Sequence, residues 1–300
     1  MGHASFATYR PSGRFSPLTL PLFIAAIVSG VAVAWLYQAL MSWIPYIYVD
    51  LVLCAGFGAA LGAAGMFAVR RGHCRNRVLA AILALPLALA PVGASYYWGY
   101  RSTLSTIAEQ HPETPLEIIQ QELTFSRWLE VKQEAGWTLS SHGSSSSRSR
   151  PDVSGTFVVV VWVIEALVIL GLTMLLVDTE AAKPYCESCR GWCVPRPLTP
   201  HGLTAADVES AMQMGDLGPL IDPPVRAEGD PLRAIVLTGD ICDGCIETGF
   251  LSVDERTTVQ RKKQTTTRTK NLLRRAVLTA PQRAAFLHRY TMSVGQKLAA

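Results

Sequence analysis

Over long stretches this 300-residue chain lacks charge. Residues 17–69, 78–97 and 157–177 hold almost no Asp, Glu, Lys or Arg, although charged residues crowd the remainder. That patterning argues against reading the length as one or two soluble domains. Also missing are the signatures of common catalytic machinery. No Walker phosphate loop, G-x-G-x-x-G, H-E-x-x-H or G-x-S-x-G occurs, and the six histidines are scattered at 3, 73, 111, 142, 201 and 288. A membrane hydrolase or kinase has nothing to rest on, and we read the chain as non-enzymatic. Finally, residues 98–156 contain no cysteine, whereas seven occur elsewhere.

The uncharged stretches contain apolar runs long enough to matter. A hydrocarbon core of about 30 Å takes roughly 20 helical residues to cross. Pro17–Leu40, Tyr46–Val69, Val78–Tyr97 and Phe157–Val177 meet that length. The first exceeds the apolar core of a signal peptide and has no A-x-A-like site after it, so it reads as retained. The expected class is an α-helical polytopic membrane protein with four transmembrane helices and a small α+β cytoplasmic domain.

Basic residues set the expected orientation. Arg10 and Arg14 precede the first span, and Arg70, Arg71, Arg75 and Arg77 lie between the second and third. In residues 98–156 acidic side chains outnumber basic ones, and the tail after Val177 is again basic. Both termini are therefore expected in the cytoplasm, with the inner membrane of a bacterium as the site. The absence of cysteine from the outer segment agrees, because spaced thiols in a reducing compartment more often bind metal or do redox work than form disulfides. The organisation then reads as a cytoplasmic lead (1–16), three spans (17–97), an extracytoplasmic segment (98–156), a fourth span (157–177) and a cytoplasmic domain (178–300).

Local patterns refine this. Gly58 and Gly62 form a G-x-x-x-G pair, flanked by Ala55, Ala59, Ala63 and Gly65, a small-residue face for packing within the chain or for a homo-oligomer. Pro86 and Pro91 interrupt the third span's hydrogen bonding. Thr114-Pro-Leu-Glu117 reads as a capping box opening one helix to about Ala135, closed by Gly136, with Ser140–Arg150 as a tether beyond it. The lead up to Ser16, with its Pro-Ser-Gly turn, reads as irregular. Two carboxylates fall within the spans: Asp50 near the outer end of the second and Glu165 well inside the fourth. Carboxylates at such depth commonly face a bundle interior or a cavity. Asp50 reads as reaching the interface, and Glu165 as bonding another helix or lining a proton or cation path.

The tail carries the strongest chemical signal. Cys186-Glu-Ser-Cys189 and Cys242-Asp-Gly-Cys245 are two C-x-x-C pairs. A tight turn between such cysteines lets both thiolates hold one metal while backbone N–H groups bond to sulfur, and two pairs complete a tetrahedral sulfur set suited to Zn²⁺. Thr204–Met214 reads as a helix, Leu217–Pro231 as a loop, and Arg233–Thr238 as a strand feeding the second pair. Thr257–Thr279 reads as strand-like, and a terminal helix opens near Pro281, capped by Thr279. The tail resembles the zinc ribbon, in which two C-x-x-C turns on adjacent strands hold zinc. The resemblance covers residues 184–255, and the 52-residue gap between the pairs departs from the family's spacing. It implies Cys186, Cys189, Cys242 and Cys245 as ligands of a structural Zn²⁺, with Cys193 a packed or spare thiol.

From Arg256 to Arg275 there are eight basic residues and no acidic one. This stretch reads as a solvated face or as contact with anionic lipid. It lacks the aromatic interleaving that single-strand binding uses, which ranks nucleic acid below lipid. The leading functional expectation is a membrane-anchored zinc-binding scaffold that docks a cytoplasmic protein. The alternatives are a small oligomeric transporter or channel using Glu165, and a thiol–disulfide module.

Overall fold

Long apolar runs close into helices because a helix satisfies every backbone N–H and C=O within its own segment. In this computed structural model, which describes residues 6–43, 47–135, 137–138, 152–153, 155–200, 202–223, 233–261 and 264–299, that rule produces α1 (Thr19–Trp43), α2 (Ile47–Arg71) and α3 (Arg77–Gln110). The chain divides into two compact units, Gly13–Ala182 and Met1–Ser12 with Lys183–Ala300.

In the first unit, α3 opens at Asn76, whose side chain accepts from the Leu79 N–H, and runs unbroken through Pro86 and Pro91. Its 34 residues amount to about 51 Å at 1.5 Å per residue, well beyond a bilayer core. The surplus turns carry a small outer layer made by α4 (Leu116–Glu122) and α5 (Phe125–Ala135). Two helices therefore stand where one continuous helix was expected. Pro115, not Thr114, caps α4, and it does so without a side-chain bond. The Tyr100 hydroxyl donates to the Leu123 carbonyl at 2.8 Å, and Thr124 restarts the helix by accepting the Arg127 N–H at 3.3 Å. The break lets Ile119 and Trp128 both bury beside Tyr100 and Leu104. Gly136 and Ser140–Arg150 lie outside the described residues; the short strands β1 (Trp137–Thr138) and β2 (Asp152–Val153) pair across them.

The last helix of this unit is α6 (Thr156–Ala181). By length and composition α1, α2, α3 and α6 are each long and apolar enough to cross a membrane. The small-residue face of α2 packs on α6. A Cβ on Gly58 would stand 2.9 Å from the Ile169 Cα, one on Gly62 would meet Leu176, and one on Gly65 would meet Val177. The Thr173 hydroxyl donates to the Gly58 carbonyl at 3.2 Å. The G-x-x-x-G face is thus occupied within the chain. At the other end of these helices, Arg77 grips Asp178 through two bonds of 2.8 and 2.6 Å, and Arg70 pairs with the buried Glu180 at 2.6 Å.

The second unit opens with the hairpin β3 (Tyr185–Cys186) and β4 (Gly191–Trp192), followed by β5 (Val194–Leu198), α7 (Ala205–Met214) and α8 (Gly218–Ile221). The Thr204–Asp207 capping box sets the start of α7, and Leu217, Leu220 and Ile221 around α8 are buried where a loop was expected. Then come β6 (Arg233–Ile241), β7 (Gly249–Arg261), β8 (Gln264–Val277) and α9 (Ala280–Ala299). The sheet is antiparallel in the order β5-β6-β7-β8. Because side chains alternate across a strand, Leu237, Ile241, Leu251 and Val253 face one layer, where they join Val208, Ala211, Leu220 and Phe286 in a single core. Gly239 sits under the Phe286 ring, with no room for a side chain. The Thr279 N–H bonds the Gln282 Oε1 at 3.0 Å, so the terminal helix starts as the capping pattern implied.

One strand-like contact has no local signature. Thr8 bridges Ala276 in antiparallel fashion, the Tyr9 N–H donates to the Arg275 carbonyl at 2.9 Å, and the Val277 N–H donates to the Ala7 carbonyl at 2.8 Å. Phe6 packs on the core, and the Tyr9 hydroxyl donates to the Lys183 carbonyl. The lead that composition marks as irregular is pinned to the edge of β8.

Candidate metal centre

Each C-x-x-C pair sits where a hairpin reverses. The first occupies the turn between β3 and β4, with Cys186 registered opposite Gly191 and Tyr185 opposite Trp192, the two rings edge to face at 5.2 Å. Arg190 takes a left-handed φ of 52° to close this turn, a conformation that strains a side chain with a Cβ. The Cys189 N–H lies 3.5 Å from the Cys186 sulfur. The second pair forms the β6–β7 turn, where Ile241 registers with Gly249 and the Cys242 N–H bonds the Thr248 carbonyl at 3.3 Å.

The two turns bring Cys186, Cys189, Cys242 and Cys245 together, with all four sulfurs within 4.8 Å of one another. Four thiolates at about 2.3 Å from one tetrahedral ion stand about 3.8 Å apart. Cys186 and Cys245 are at 3.7 Å, and none of the seven cysteines is in a disulfide. A tight four-cysteine cluster of this kind can hold a metal ion. Gly244 lets the turns close: a Cβ there would stand 3.0 Å from the Cys189 sulfur. Cys186 and Cys242 are buried, Cys245 is half-buried and Cys189 is exposed. Cys193 is buried beside Phe250 and Tyr9, outside the four-sulfur group, as a packed thiol should be.

The thiols are not equivalent. Hydrogen bonds from the Thr248 hydroxyl and from the Thr248 and Glu247 N–H groups bring Cys245 down to about 6. Desolvation and the neighbouring thiols push Cys189 up to about 12, and desolvation raises Cys242. Cys245 is thus poised as a thiolate at neutral pH, and Cys189 and Cys242 release protons as a cation arrives.

Two arginines brace the second turn. Arg283 of α9, itself buried, donates to the Cys242 carbonyl at 2.8 Å. Arg196 of β5 pairs with Asp243 at 2.7 Å and lies 5.5 Å over the Tyr290 ring. Arg283 lies 41 positions from Cys242 and Arg196 lies 47 from Asp243, so no spacing rule ties either arginine to the second turn.

The other residues singled out from the sequence lie elsewhere. Glu165 is half-buried on α6, within electrostatic reach of Tyr37 on α1, Tyr96 on α3 and Lys132 on α5. Lys132 is an exposed residue, yet its ammonium lies 4.9 Å over the Trp128 ring. Crowding there lowers its pKa, and Glu165 opposes the shift. The Tyr37 hydroxyl and Cys54 sulfur meet at 3.0 Å in the same bundle. Asp50 falls in α2, but its side chain lies outside the described residues. Gly58 and Gly62 face α6, as above. Comparison with protein-family models, with curated proteins and with solved structures yields no match for this chain.

Proposed function

We propose that this chain is a membrane-anchored interaction module. In this reading α1, α2, α3 and α6 span a bilayer. A structural Zn²⁺, held by Cys186, Cys189, Cys242 and Cys245, orders a zinc-ribbon-like domain for docking a protein on the cytoplasmic side. The carrying observation is the four-sulfur cluster built from two hairpin turns. Four protein ligands leave no position for an activated water, which suits a folding role over catalysis. Thiolate sulfur favours zinc among the divalent ions that prefer this geometry. The pairing of Thr8 with Ala276 supports termini on one side, as an even number of spans requires.

The test is metal content of the purified full chain in detergent. One zinc per chain, lost in Cys242→Ser together with the domain's protease resistance, is the expected result. A zinc-free, protease-resistant domain with alkylatable thiols would move the assignment to thiol–disulfide exchange. Docking has its own measurement: cross-linking in intact membranes should give adducts that disappear when residues 183–300 are removed, and adducts unchanged by that removal would end the scaffold reading.

A second reading draws on Glu165, whose electrostatic neighbours come from three other helices. It treats the bundle as a small cation or proton path. Reconstituted vesicles should then show a flux that Glu165→Gln abolishes, and vesicles without flux would dispose of it.

A further inference from the structure

Among the described residues, which for β6 begin at Arg233, strands β7 and β8 outrun the rest of their sheet. β6 pairs with β7 from Gly249 to Thr257, whereas β7 and β8 stay paired out to Arg261 and Gln264. Beyond Thr257 the described part of the sheet is a two-stranded ribbon. β8 is also the sheet's edge, and Thr265–Asn271 are exposed at every position. Arg256, Arg268, Lys270 and Arg274 are exposed, and among the described residues none of them makes an ion pair. The register pairs Arg256 with Thr269 on one face of the ribbon, and Arg268 with Thr257 on the other. Cations therefore project from both faces. Lys262 and Lys263, outside the described residues, add two more in sequence, and no acidic residue follows Glu255.

We propose that this ribbon docks on the anionic phospholipid headgroups of the bilayer its own chain enters. The inference rests on reading the four apolar helices as spans. Cations on both faces of a projecting ribbon suit a diffuse anionic layer better than a shaped groove. The chain has no aromatic residue between Phe250 and Phe286, so the ribbon offers no platform on which single-stranded bases could stack. Like charge along the free edge opposes pairing with the same edge of a second copy. The unit joins the helical unit covalently twice, at Ser12–Gly13 and at Ala182–Lys183. A headgroup layer is thereby kept within reach of an attraction that fades over a Debye length.

The experiment is amide hydrogen exchange of residues 264–274 in the full chain. It compares nanodiscs of phosphatidylcholine with nanodiscs of phosphatidylcholine and phosphatidylglycerol. We expect exchange at least about fivefold slower in the anionic discs, the factor that one cation at such a surface contributes. The difference should vanish at about 0.5 M salt, where the Debye length is a few ångströms. It should also vanish in Arg256→Gln/Arg268→Gln/Lys270→Gln, whose zinc content and exchange in the core strand β6 report that the domain stays folded. Equal exchange in both discs would overturn the proposal. So would protection that appears only when duplex DNA or RNA is added to neutral discs, which would reassign the ribbon to nucleic acid. Failure of the spanning reading looks different: the chain would be recovered outside the discs at either composition.

Discussion

At the scale of single residues, the metal centre divides into parts that announce themselves and parts that do not. The four cysteines are legible because a C-x-x-C turn is a local object, complete within four residues. Arg283 is not, because its role depends on α9 folding back to the Cys242 carbonyl from 41 positions away. In the zinc reading proposed above, Arg283→Ala should weaken metal binding by roughly 10–100-fold, as loss of an outer support to a ligand does. Competition against a chromophoric chelator measures this, and unchanged affinity would show that the turn holds its shape without α9. Acidity gives a second check. The thiols raised by desolvation hold protons that zinc must displace, so apparent affinity should fall steadily as pH drops below neutrality. Cys245, brought down to about 6, should take up a proton only after Cys189 and Cys242 have done so. A titration of zinc release between neutral and mildly acidic buffer reads out the sign.

Elements are legible where composition alone decides them and obscure where a neighbour does. The four long helices follow from runs of apolar residues, each long and apolar enough to cross a membrane. The division between α4 and α5 depends on Tyr100, a residue of a different helix that holds the Leu123 carbonyl. Likewise on α9 Leu287 and Tyr290 are only partly buried against the core, yet Phe286 is fully buried against Gly239, which the helical repeat alone does not single out. Packing of α2 on α6 makes a sharp contrast within one helix. A methyl group at Gly58 would collide with the Ile169 backbone, whereas one at Gly56 meets nothing within 4 Å. Gly58→Ala should destabilise the bundle by about 1–3 kcal/mol. Gly56→Ala should be neutral or stabilise by up to about 1 kcal/mol, since alanine is the better helix former. Thermal unfolding in detergent, followed by the loss of helical circular dichroism, ranks the two variants, and equal midpoints would mean that α2 and α6 separate easily.

For the whole molecule, the unexpected finding is that residues near the N-terminus help build a domain assigned from sequence to the tail alone. No pattern within residues 6–12 signals this, because the partner strand lies about 270 positions away and a single bridge has no periodicity to detect. Tyr9 packs on Phe250 with ring centroids 4.8 Å apart, in the cluster that holds Cys186 and Cys242. Tyr9 is half-buried, so Tyr9→Ala in the full chain should cost the domain about 1–3 kcal/mol. In the zinc reading it should also speed metal loss to chelator, and chelation of the wild type should open the Tyr9–Arg10 bond to chymotrypsin. A Tyr9–Arg10 bond that stays protected after zinc removal would separate the strap from the metal.

That pairing also sets a schedule for biosynthesis. At typical elongation rates, residues 6–9 leave the ribosome on the order of tens of seconds before β8 is made. In the spanning reading proposed above, four apolar helices enter the bilayer during that interval while the leading segment waits on the side where the last third of the chain will emerge. A leading segment carried across the bilayer, by a fused export signal for instance, could then never reach Ala276. In that reading the finished domain is a proofreader of insertion, completing itself only on chains threaded in the correct sense.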